Sequence, residues 1–454
     1  MIKKYALPLL ASTFLIAPAA HAQDSEIESL RAQVSAMQAQ IQELSQRLDQ
    51  YQHAAPTAPQ APAVAATPAS APVAAPAPAA NDGIEISFAG APEIEGAGGW
   101  SFKPFGRIMV DTGFTSLPAG LAASDGFGSE IRRARLGMSG DIPGGFGYKF
   151  EVDFAGNSAE LTDAIITYED GGLELTAGQH NNFQGLEELT SSRFSSFIER
   201  AAFTDAFGFE RRLGLSAQYK TGDLLLQGGV FSDNIDDLPG KNWSLDGRAV
   251  YSPKLGDTQL HLGGSLHLAQ LESGNTVRYR QRPLVHFTSE RLINTGNLAA
   301  DSEFGAGLEA AVIAGPFHAA GEAYWQNVDR PAGMTDPTFF GGYAEVGYYL
   351  TGGDSRGYKG SKFDRTRPNS PIDEGGIGAI EVNLRYDYLD LADGTIIGGQ
   401  QNGYLASLIW VPTDYTRLSF NYGHLEYDDA VIALPSGSRS YSADVAGVRA
   451  QVDF

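Results

Sequence analysis

The 454-residue sequence contains no cysteine, so it can form no disulfide bond and offers no thiol as a nucleophile or metal ligand. It is also poor in positive charge, with 32 Lys and Arg against 54 Asp and Glu. The resulting net charge of -22 disfavours nucleic acid as a partner. Beyond the N-terminus, no stretch approaches the roughly 18 apolar residues that a membrane-spanning helix requires. If this chain enters a membrane, it must do so as strands.

Recognisable catalytic motifs are missing as well. The sequence has no His-Glu-x-x-His and no phosphate-binding glycine loop. Among its eight histidines, His261 and His267 lie on one face of a predicted strand but six residues apart. We therefore expect no metal ion, no cofactor and no catalytic centre.

Residues 1–22 have the features of a secretory signal peptide. Lys3 and Lys4 supply the positive start, an apolar run extends from Tyr5 to Ile16, and Ala20-His21-Ala22 provides a small-x-small cleavage site. The apolar run is too short to span a membrane. The sequence therefore predicts an exported protein.

Residues 23–53 contain an uninterrupted heptad repeat that predicts a short α-helical coiled coil. Its two apolar positions hold Ile27, Val34, Ile41 and Leu48, and Leu30, Met37, Leu44 and Tyr51. Self-association is the simplest way to cover such a stripe, and packing of one helix on the main domain is the alternative. The mixed core does not distinguish a dimer from a trimer.

An Ala- and Pro-rich segment over residues 54–81 follows the heptads. Such composition has little to bury and favours extended polyproline II geometry at about 3.1 Å per residue. This segment is predicted to be a semi-rigid linker.

From about residue 100 to the C-terminus, apolar and polar residues alternate. In the stretch from Phe146 to Phe154, every second residue is large and apolar, and Gly147, Lys149, Glu151 and Asp153 lie between. A period of two places the apolar side chains on one face of a strand and the charges on the other. We count 16 such strands, with short connections alternating with long ones, except that residues 352–375 are long where a short turn is expected.

Strands of this length, apolar outside and polar inside, are typical of a transmembrane barrel, because only closure satisfies every backbone group in lipid. The predicted fold is therefore all-β: a 16-stranded antiparallel transmembrane β-barrel over residues 82–454, preceded by the coiled coil. With the signal peptide, this pattern predicts the outer membrane of a Gram-negative bacterium, with the N-terminal segment in the periplasm.

A series of motifs resembles the phosphate-selective porin O/P family. They occur in order as IRRARLGMSG, YKFEVDFAG, LTDAIITYED, LEELTSSRFSSFIERAAF, RRLGLSAQY, GGYAEVGYYLTG and LRYDYLDLADG, and the resemblance covers most of residues 100–454. The terminal Phe454 also resembles the recognition signal of outer-membrane barrels. The resemblance implies a trimeric porin with inward-folded loops and a basic pore that attracts phosphate or similar anions. It also implies a Lys two residues after Gln179, where this chain has Asn181.

Candidate pore-lining and solute-binding residues are the basic side chains that alternation or a long loop directs towards the lumen. Arg133, Arg135, Lys149 and Arg212 lie on polar strand faces, whereas Arg132 and Arg211 are one residue out of register, which directs them to lipid headgroups or loop carboxylates. The loop 181–208 contributes Arg193 and Arg200 beside Glu187, Glu188 and Glu199. Arg278, Arg280 and Arg282 would line one extended face. Pairing of the strand arginines with Glu151 or Asp153 would instead be structural scaffolding.

These features predict a porin that passes small hydrophilic solutes, including phosphate or other anions, with membrane lipid and further copies of the chain as its partners. A barrel enzyme of the outer-membrane phospholipase type is one alternative. The other is a structural tether in which the coiled coil contacts the cell wall.

Overall fold

The computed structural model describes residues 83–88 and 90–454. The predicted signal peptide (1–22), coiled coil (23–53) and linker (54–81) lie outside these residues. Among the described residues, no helix combines the length and the apolarity needed to cross a membrane.

Sixteen long strands form one closed antiparallel barrel, as the alternation predicts. Each strand pairs with its neighbours along the chain, and the last strand closes the ring on the first, with Asp453 opposite Arg107. The strands are β1 Trp100–Ser116, β2 Gly126–Ile142, β3 Phe146–Asp153, β4 Glu160–Asp170, β5 Leu173–Asn181, β6 Arg211–Thr221, β7 Leu224–Phe231, β8 Trp243–Tyr251, β9 Thr258–Gln270, β10 Ser302–Ala314, β11 Phe317–Asp329, β12 Thr338–Tyr349, β13 Ala379–Asp393, β14 Ile396–Thr413, β15 Thr416–Asp428 and β16 Tyr441–Asp453.

Alternation along each strand sets which side chains face outward. On β3, Phe146 and Phe150 are exposed on the outer wall, whereas Glu151 and Asp153 are buried on the inner side. A closed ring leaves no strand edge with unpaired backbone groups, which is the condition for crossing a bilayer with strands.

Several short elements complete the described chain. A ribbon of two strands, Glu85–Phe88 and Pro92–Gly96, pairs with the start of β1. The helices and remaining short elements are α1 Leu186–Leu189, α2 Ala202–Ala206, the 3-10 turns Ile235–Asp237 and Ile372–Glu374, and the two-residue strands Lys254–Leu255, Thr276–Val277, Arg280–Gln281, Ile293–Asn294, Leu298–Ala299, Gly357–Tyr358 and Phe363–Asp364.

The two ends of the barrel differ in their connections. Because 16 is an even number, β1 begins and β16 ends at the same end, which we call the terminal end; the opposite end is the loop end. Two long connections leave the loop end and fold inward: loop 3, residues 182–210 with α1 and α2, and loop 5, residues 271–301. Loop 3 corresponds to the predicted loop 181–208.

Loops 3 and 5 fill one side of the lumen. Phe203, Phe207 and Phe209 of loop 3 pack with Tyr279 of loop 5 and with Tyr324 on the inner face of β11. The same hydrophobic cluster includes inward residues of β12 to β16. The expectation of a uniformly polar inner face is therefore wrong for these strands, because the folded loops replace water there.

The connection over residues 350–378 leaves the terminal end and enters the barrel; we call it the inserted connection. Its hairpin pairs Gly357 with Asp364. Arg356 donates to the Ser196 hydroxyl at 2.6 Å and to the Phe194 carbonyl at 2.8 Å, so the connection meets loop 3 inside the lumen. The unexpected length of this segment thus corresponds to an internal structure rather than to a turn.

Candidate functional site

Two cavities lie between loop 3 and the inner wall. The loop-side cavity, of about 180 Å³, is bounded by loops 3 and 5 and by Arg132 and Arg133 of β2. The terminal-side cavity, of about 380 Å³, is bounded by loop 3, the inner faces of β1 to β7 and the tip of the inserted connection. Arg133, Glu188, Ser192 and Arg200 line both cavities, so these four residues lie where the two spaces adjoin, a position that we call the passage.

Basic side chains dominate the wall of the terminal-side cavity. Eight Arg and Lys residues line it against four Asp and Glu residues, in a protein whose overall charge is strongly negative. The basic residues are Arg107, Arg133, Arg135, Lys149, Arg193, Arg200, Arg211 and Lys362, and the acidic residues are Asp163, Glu174, Glu188 and Asp364.

A β-bulge places two consecutive arginines at the passage. The register of β1 with β2 shifts between Met109 and Val110, which leaves Arg132 as the extra residue. A bulge locally redirects side chains, so Arg132 and Arg133 both line the loop-side cavity. Arg132 forms a bidentate pair with Glu199 of loop 3 at 2.8 and 3.1 Å, as one of its two predicted alternatives required.

Arg133 stands apart because it has no carboxylate partner. In the described part of the chain its hydrogen-bond partner is the Met109 sulfur, at 3.9 Å, and its Nε is buried without a partner. A buried guanidinium is normally paired, because desolvating a charge without compensation is costly. Arg133 therefore keeps hydrogen-bonding capacity that no carboxylate in the described part of the chain uses.

The neighbouring wall arginines are paired with carboxylates behind them. Glu151 accepts hydrogen bonds from Arg107 at 2.8 Å and from Arg135 at 3.0 Å, and Asp153 binds Arg135 at 2.7 Å. The scaffolding alternative raised by the sequence thus describes the contacts of Arg135. These guanidiniums still face the cavity, with their charge partly neutralised.

Lys149 and Arg211 share a single acidic partner. Asp163 lies 2.5 Å from the Lys149 ammonium and 2.7 Å from Arg211 Nε. Two cations on one carboxylate leave a local excess of positive charge on this part of the wall.

The pKa values of two glutamates in loop 3 are shifted in opposite directions. Burial raises the pKa of Glu188 above its ordinary value, although Arg200 lies 3.2 Å away. For Glu199 burial acts in the same direction, but Arg132 and Arg449 outweigh it and hold the pKa below its usual range. Glu199 is therefore a fixed negative charge.

Arg193 and Arg200 connect loop 3 to its surroundings. Arg193 lies 3.4 Å from Asp453 near the end of β16. Arg200 donates to the carbonyls of Glu187, Glu188 and Thr190, each at 3.0 Å. Both arginines line the terminal-side cavity while they stabilise the fold of the loop.

Barrel-wall carboxylates hold the backbone of loop 3. Glu322 of β11 accepts from the Leu186 and Glu187 amides, at 2.8 and 2.6 Å, at the start of α1. Asp387 of β13 accepts from the Ala202 amide at the start of α2. These amides would otherwise be unsatisfied first-turn donors. The wall thus fixes the position of the loop and of its charges.

On loop 5, Arg278, Arg280 and Arg282 lie on one face, as the alternation predicts, with Tyr279 and Gln281 buried on the other. Burial, and then the neighbouring Arg282, Arg280 and Arg278, lower the pKa of Arg291 to about 10 despite the opposing effect of Asp205. Arg282 lines the loop-side cavity, whereas Arg278 and Arg280, although predicted to line the pore, line neither cavity.

The structure departs from the candidate set in three further respects. Arg212 pairs with Glu210 and Asp233, at 3.4 and 3.8 Å, and lines neither cavity, because the preceding Arg211 turns inward at the strand end. Arg107 was missed although it alternates with the outward Ile108. Lys362 was missed because the inserted connection carries no recognisable periodicity.

Three side chains under loop 3 resemble a catalytic arrangement without its geometry. Asp246 accepts from Ser244 at 2.7 Å and contacts His267 Nδ1 at 2.7 Å. Catalysis by such a group requires the serine to bond to the imidazole, whereas here both bond to the aspartate. Within residues 83–88 and 90–454, no cluster of three or more His, Asp or Glu is arranged to hold a metal ion.

Comparison with known proteins gives the family. The model of the phosphate-selective porin O and P family matches residues 102–454. An uncharacterized protein of Caulobacter vibrioides is 47% identical over 472 residues, covering 98% of this chain and 95% of that protein.

Solved outer-membrane proteins are similar to this chain at low sequence identity. Salmonella typhi OmpF, in complex with daunomycin, matches with a TM-score of 0.51 and 10% identity, over 80% of this chain and 100% of that one. Acinetobacter baumannii DcaP gives 0.46 and 16%, over 79% and 99%, and the trimer form of Vibrio cholerae OmpT gives 0.49 and 11%, over 78% and 100%. With the 16-stranded barrel and the match over residues 102–454, this chain belongs to the phosphate-selective porin O and P family and is an outer-membrane porin.

Proposed function

We propose that this porin is a passive channel with a moderate preference for small anions, and that Arg133 is the main selectivity-determining residue. Solutes would enter past the arginines of loop 5, cross the passage at Arg133 and leave through the terminal-side cavity. In this proposal the terminal end faces the periplasm, the barrels associate as trimers, and phosphate is one of several anions that pass.

The observation that carries the proposal is the unpaired guanidinium at the junction of the two cavities. Arg133 and Arg200 line both cavities, so in this proposal a solute that crosses from one space to the other passes them. A charge next to a permeant ion in a narrow, partly dehydrated space acts with weak dielectric screening. The net charge of the whole protein is less important there, because mobile ions screen distant charges over about 8–10 Å.

The preference should be moderate because most other cations in the passage are neutralised. Arg107 and Arg135 are backed by Glu151, and Arg132 is paired with Glu199. Asn181, where the family resemblance implies a Lys, lines the terminal-side cavity and donates to Glu188 at 3.4 Å. We therefore expect weaker anion binding than in a phosphate-selective relative.

A structural tether or a barrel phospholipase is less well supported. Two cavities meeting at charged residues suit solute passage, and the Ser244–Asp246–His267 group lacks the serine–imidazole bond that hydrolysis needs. Planar-bilayer conductance separates the channel from both alternatives, and a lipase assay tests the enzyme directly.

The decisive experiment is the reversal potential under a salt gradient for the wild type, Arg133→Ala, Arg193→Ala and Arg280→Ala. One unit charge about 4 Å from an ion contributes about 1 kcal/mol in water and more where water is displaced. Loss of Arg133 should therefore lower the anion-to-cation permeability ratio by about five- to tenfold, and loss of the partly neutralised Arg193 should lower it less.

Lys241→Ala is the matched control, because this lysine is exposed on the connection after β7 and pairs with Glu272 outside both cavities. It should leave the ratio unchanged. An unchanged ratio in Arg133→Ala would show that the selectivity residue is wrong. A folded protein that never conducts would refute the proposal of a channel. Block by micromolar phosphate would show strong phosphate selectivity.

A further inference from the structure

The outer wall of strands β13 to β16 carries ionisable residues where the outer walls of β1, β9 and β10 are apolar. On β1, β9 and β10, the outward residue two positions from the loop end is apolar: Phe114, Leu268 and Phe304. On β15 and β16, outward positions at greater distance from that end are ionisable, namely His424 and Asp444. Their side chains are 37% and 47% exposed.

These residues form a hydrogen-bonded cluster on the outer wall. Asp444 accepts from the Tyr422 hydroxyl at 2.7 Å and contacts His424 Nδ1 at 2.8 Å, and on the neighbouring strands Tyr386 donates to Asn402 at 2.6 Å. Charged groups on a lipid-facing wall are unfavourable in a depth-dependent way. Such a cluster suits contact with protein better than contact with acyl chains.

A groove of about 550 Å³ adjoins this cluster. Ala344 and Ala406 are small residues along it, and Tyr386, Tyr404 and Tyr422 also line it. Small residues let another backbone or a protruding side chain approach closely within a membrane. The groove therefore provides shape next to the polar groups.

Below the same sector, the N-terminal ribbon extends the wall beyond the terminal end. Its second strand pairs with the first residues of β1, on the same edge of β1 that pairs with β16 from Arg107 onward. Gly90 lies against Tyr415 and Phe454. Ile86 and Phe88 on its outward face are 58% and 78% exposed. An apolar face of this kind outside the bilayer requires a partner.

We propose that the outer wall of β13–β16, together with the outward face of the ribbon, is the interface between copies of this porin. A second copy fits best because the ribbon follows, in the sequence, the linker and the heptads that are predicted to self-associate. Four strands about 4.8 Å apart, over an apolar band about 25 Å tall, present roughly 480 Å² of projected wall. This projected area is more than half of the roughly 800 Å² per partner of a stable interface, and the ribbon adds to it.

The test compares Ala406→Trp with Ala310→Trp, an exposed, outward alanine on β10. The full-length protein is extracted in mild detergent, and its mass is measured by light scattering, with heat-modifiable gel migration as the check on barrel folding. Ala406→Trp should convert the oligomer into folded monomers, whereas Ala310→Trp should leave the oligomer intact. An intact Ala406→Trp oligomer, or equal dissociation of both variants, would overturn the proposal and identify the groove as a lipid-facing surface.

A second pair tests the ribbon independently. Ile86→Lys alters the outward apolar face, and Ser87→Lys places the same charge on the opposite face of the same strand. Only Ile86→Lys should weaken the oligomer, and equal behaviour of the two would exclude the ribbon from the interface. Dissociated barrels that keep the wild-type permeability ratio would separate this proposal from the proposed selectivity.

Discussion

Loop 3 is held to the barrel wall by a buried ion pair whose removal has a predictable effect. Arg385 of β13 lies 2.9 Å from Glu187 of loop 3 and 2.5 Å from Glu345 of β12. All three side chains are at most 3% exposed. The Arg385 guanidinium also stacks on Phe197 and Tyr343, at 4.6 and 4.4 Å from the ring centres.

The perturbation is Arg385→Met, which keeps most of the volume and removes the charge. Removing one partner of a buried pair costs about 3–5 kcal/mol, because the remaining charge is uncompensated. Here two carboxylates, Glu187 and Glu345, would face each other. If the cost falls on the closed position of loop 3, the ratio of displaced to closed loop rises by about two to three and a half powers of ten.

Trypsin cleavage at Arg193 and Arg200 in the folded barrel measures displacement of the loop, and single-channel recordings should show added flickering between conductance levels. The same substitution at Arg367, which is 73% exposed and pairs with Asp414, is the control, since exposed pairs contribute at most about 1 kcal/mol. Wild-type protease resistance and steady conductance in folded Arg385→Met would refute the reasoning.

Two further predictions concern the inserted connection and the N-terminal segment. Partial desolvation in the barrel, and then Lys149 and Arg248, lower the pKa of Lys362. Its positive charge, and the anion preference that it contributes, should therefore be present at low pH and should be lost as the pH rises, before the ordinary lysine pKa of about 10.4 is reached. Lys362→Ala should abolish this step in a reversal-potential titration, and Lys359→Ala, on the same hairpin but lining neither cavity, should keep it. Deleting residues 24–81 should leave barrel folding intact, because the barrel closes its own hydrogen bonds; failure of the truncated protein to give a heat-modifiable band would assign an assembly role to this segment.

The barrel could be predicted from the sequence because a period of two, repeated over 16 strands, determines both strand and facing. His261 and His267 are buried on the inner side, and Leu262, Leu266 and Leu268 are exposed on the outer side, as their alternation requires. The same rule would also have found Arg107. These features depend on local sequence alone.

The passage itself depends on contacts that no local pattern contains. The bulge at Arg132 arises from the register between β1 and β2, and it moves two arginines to one side of the wall. Lys362 reaches the cavity only because the inserted connection folds into the barrel, where the Ser361 carbonyl accepts from Arg248 at 3.1 Å. Local periodicity predicts neither the bulge nor the position of Lys362, since each depends on residues far apart in the chain.

The packing of loops 3 and 5 against β11–β16 places the passage off centre, along β1–β7. The inner wall of β11–β16 is thereby part of a hydrophobic core, where a substitution would disturb folding. The inner wall of β1–β7 lines the terminal-side cavity, and its strand arginines Arg107, Arg133 and Arg135 lie outside that core. Solute preference in such a barrel can therefore diversify on one wall while the opposite wall preserves the fold.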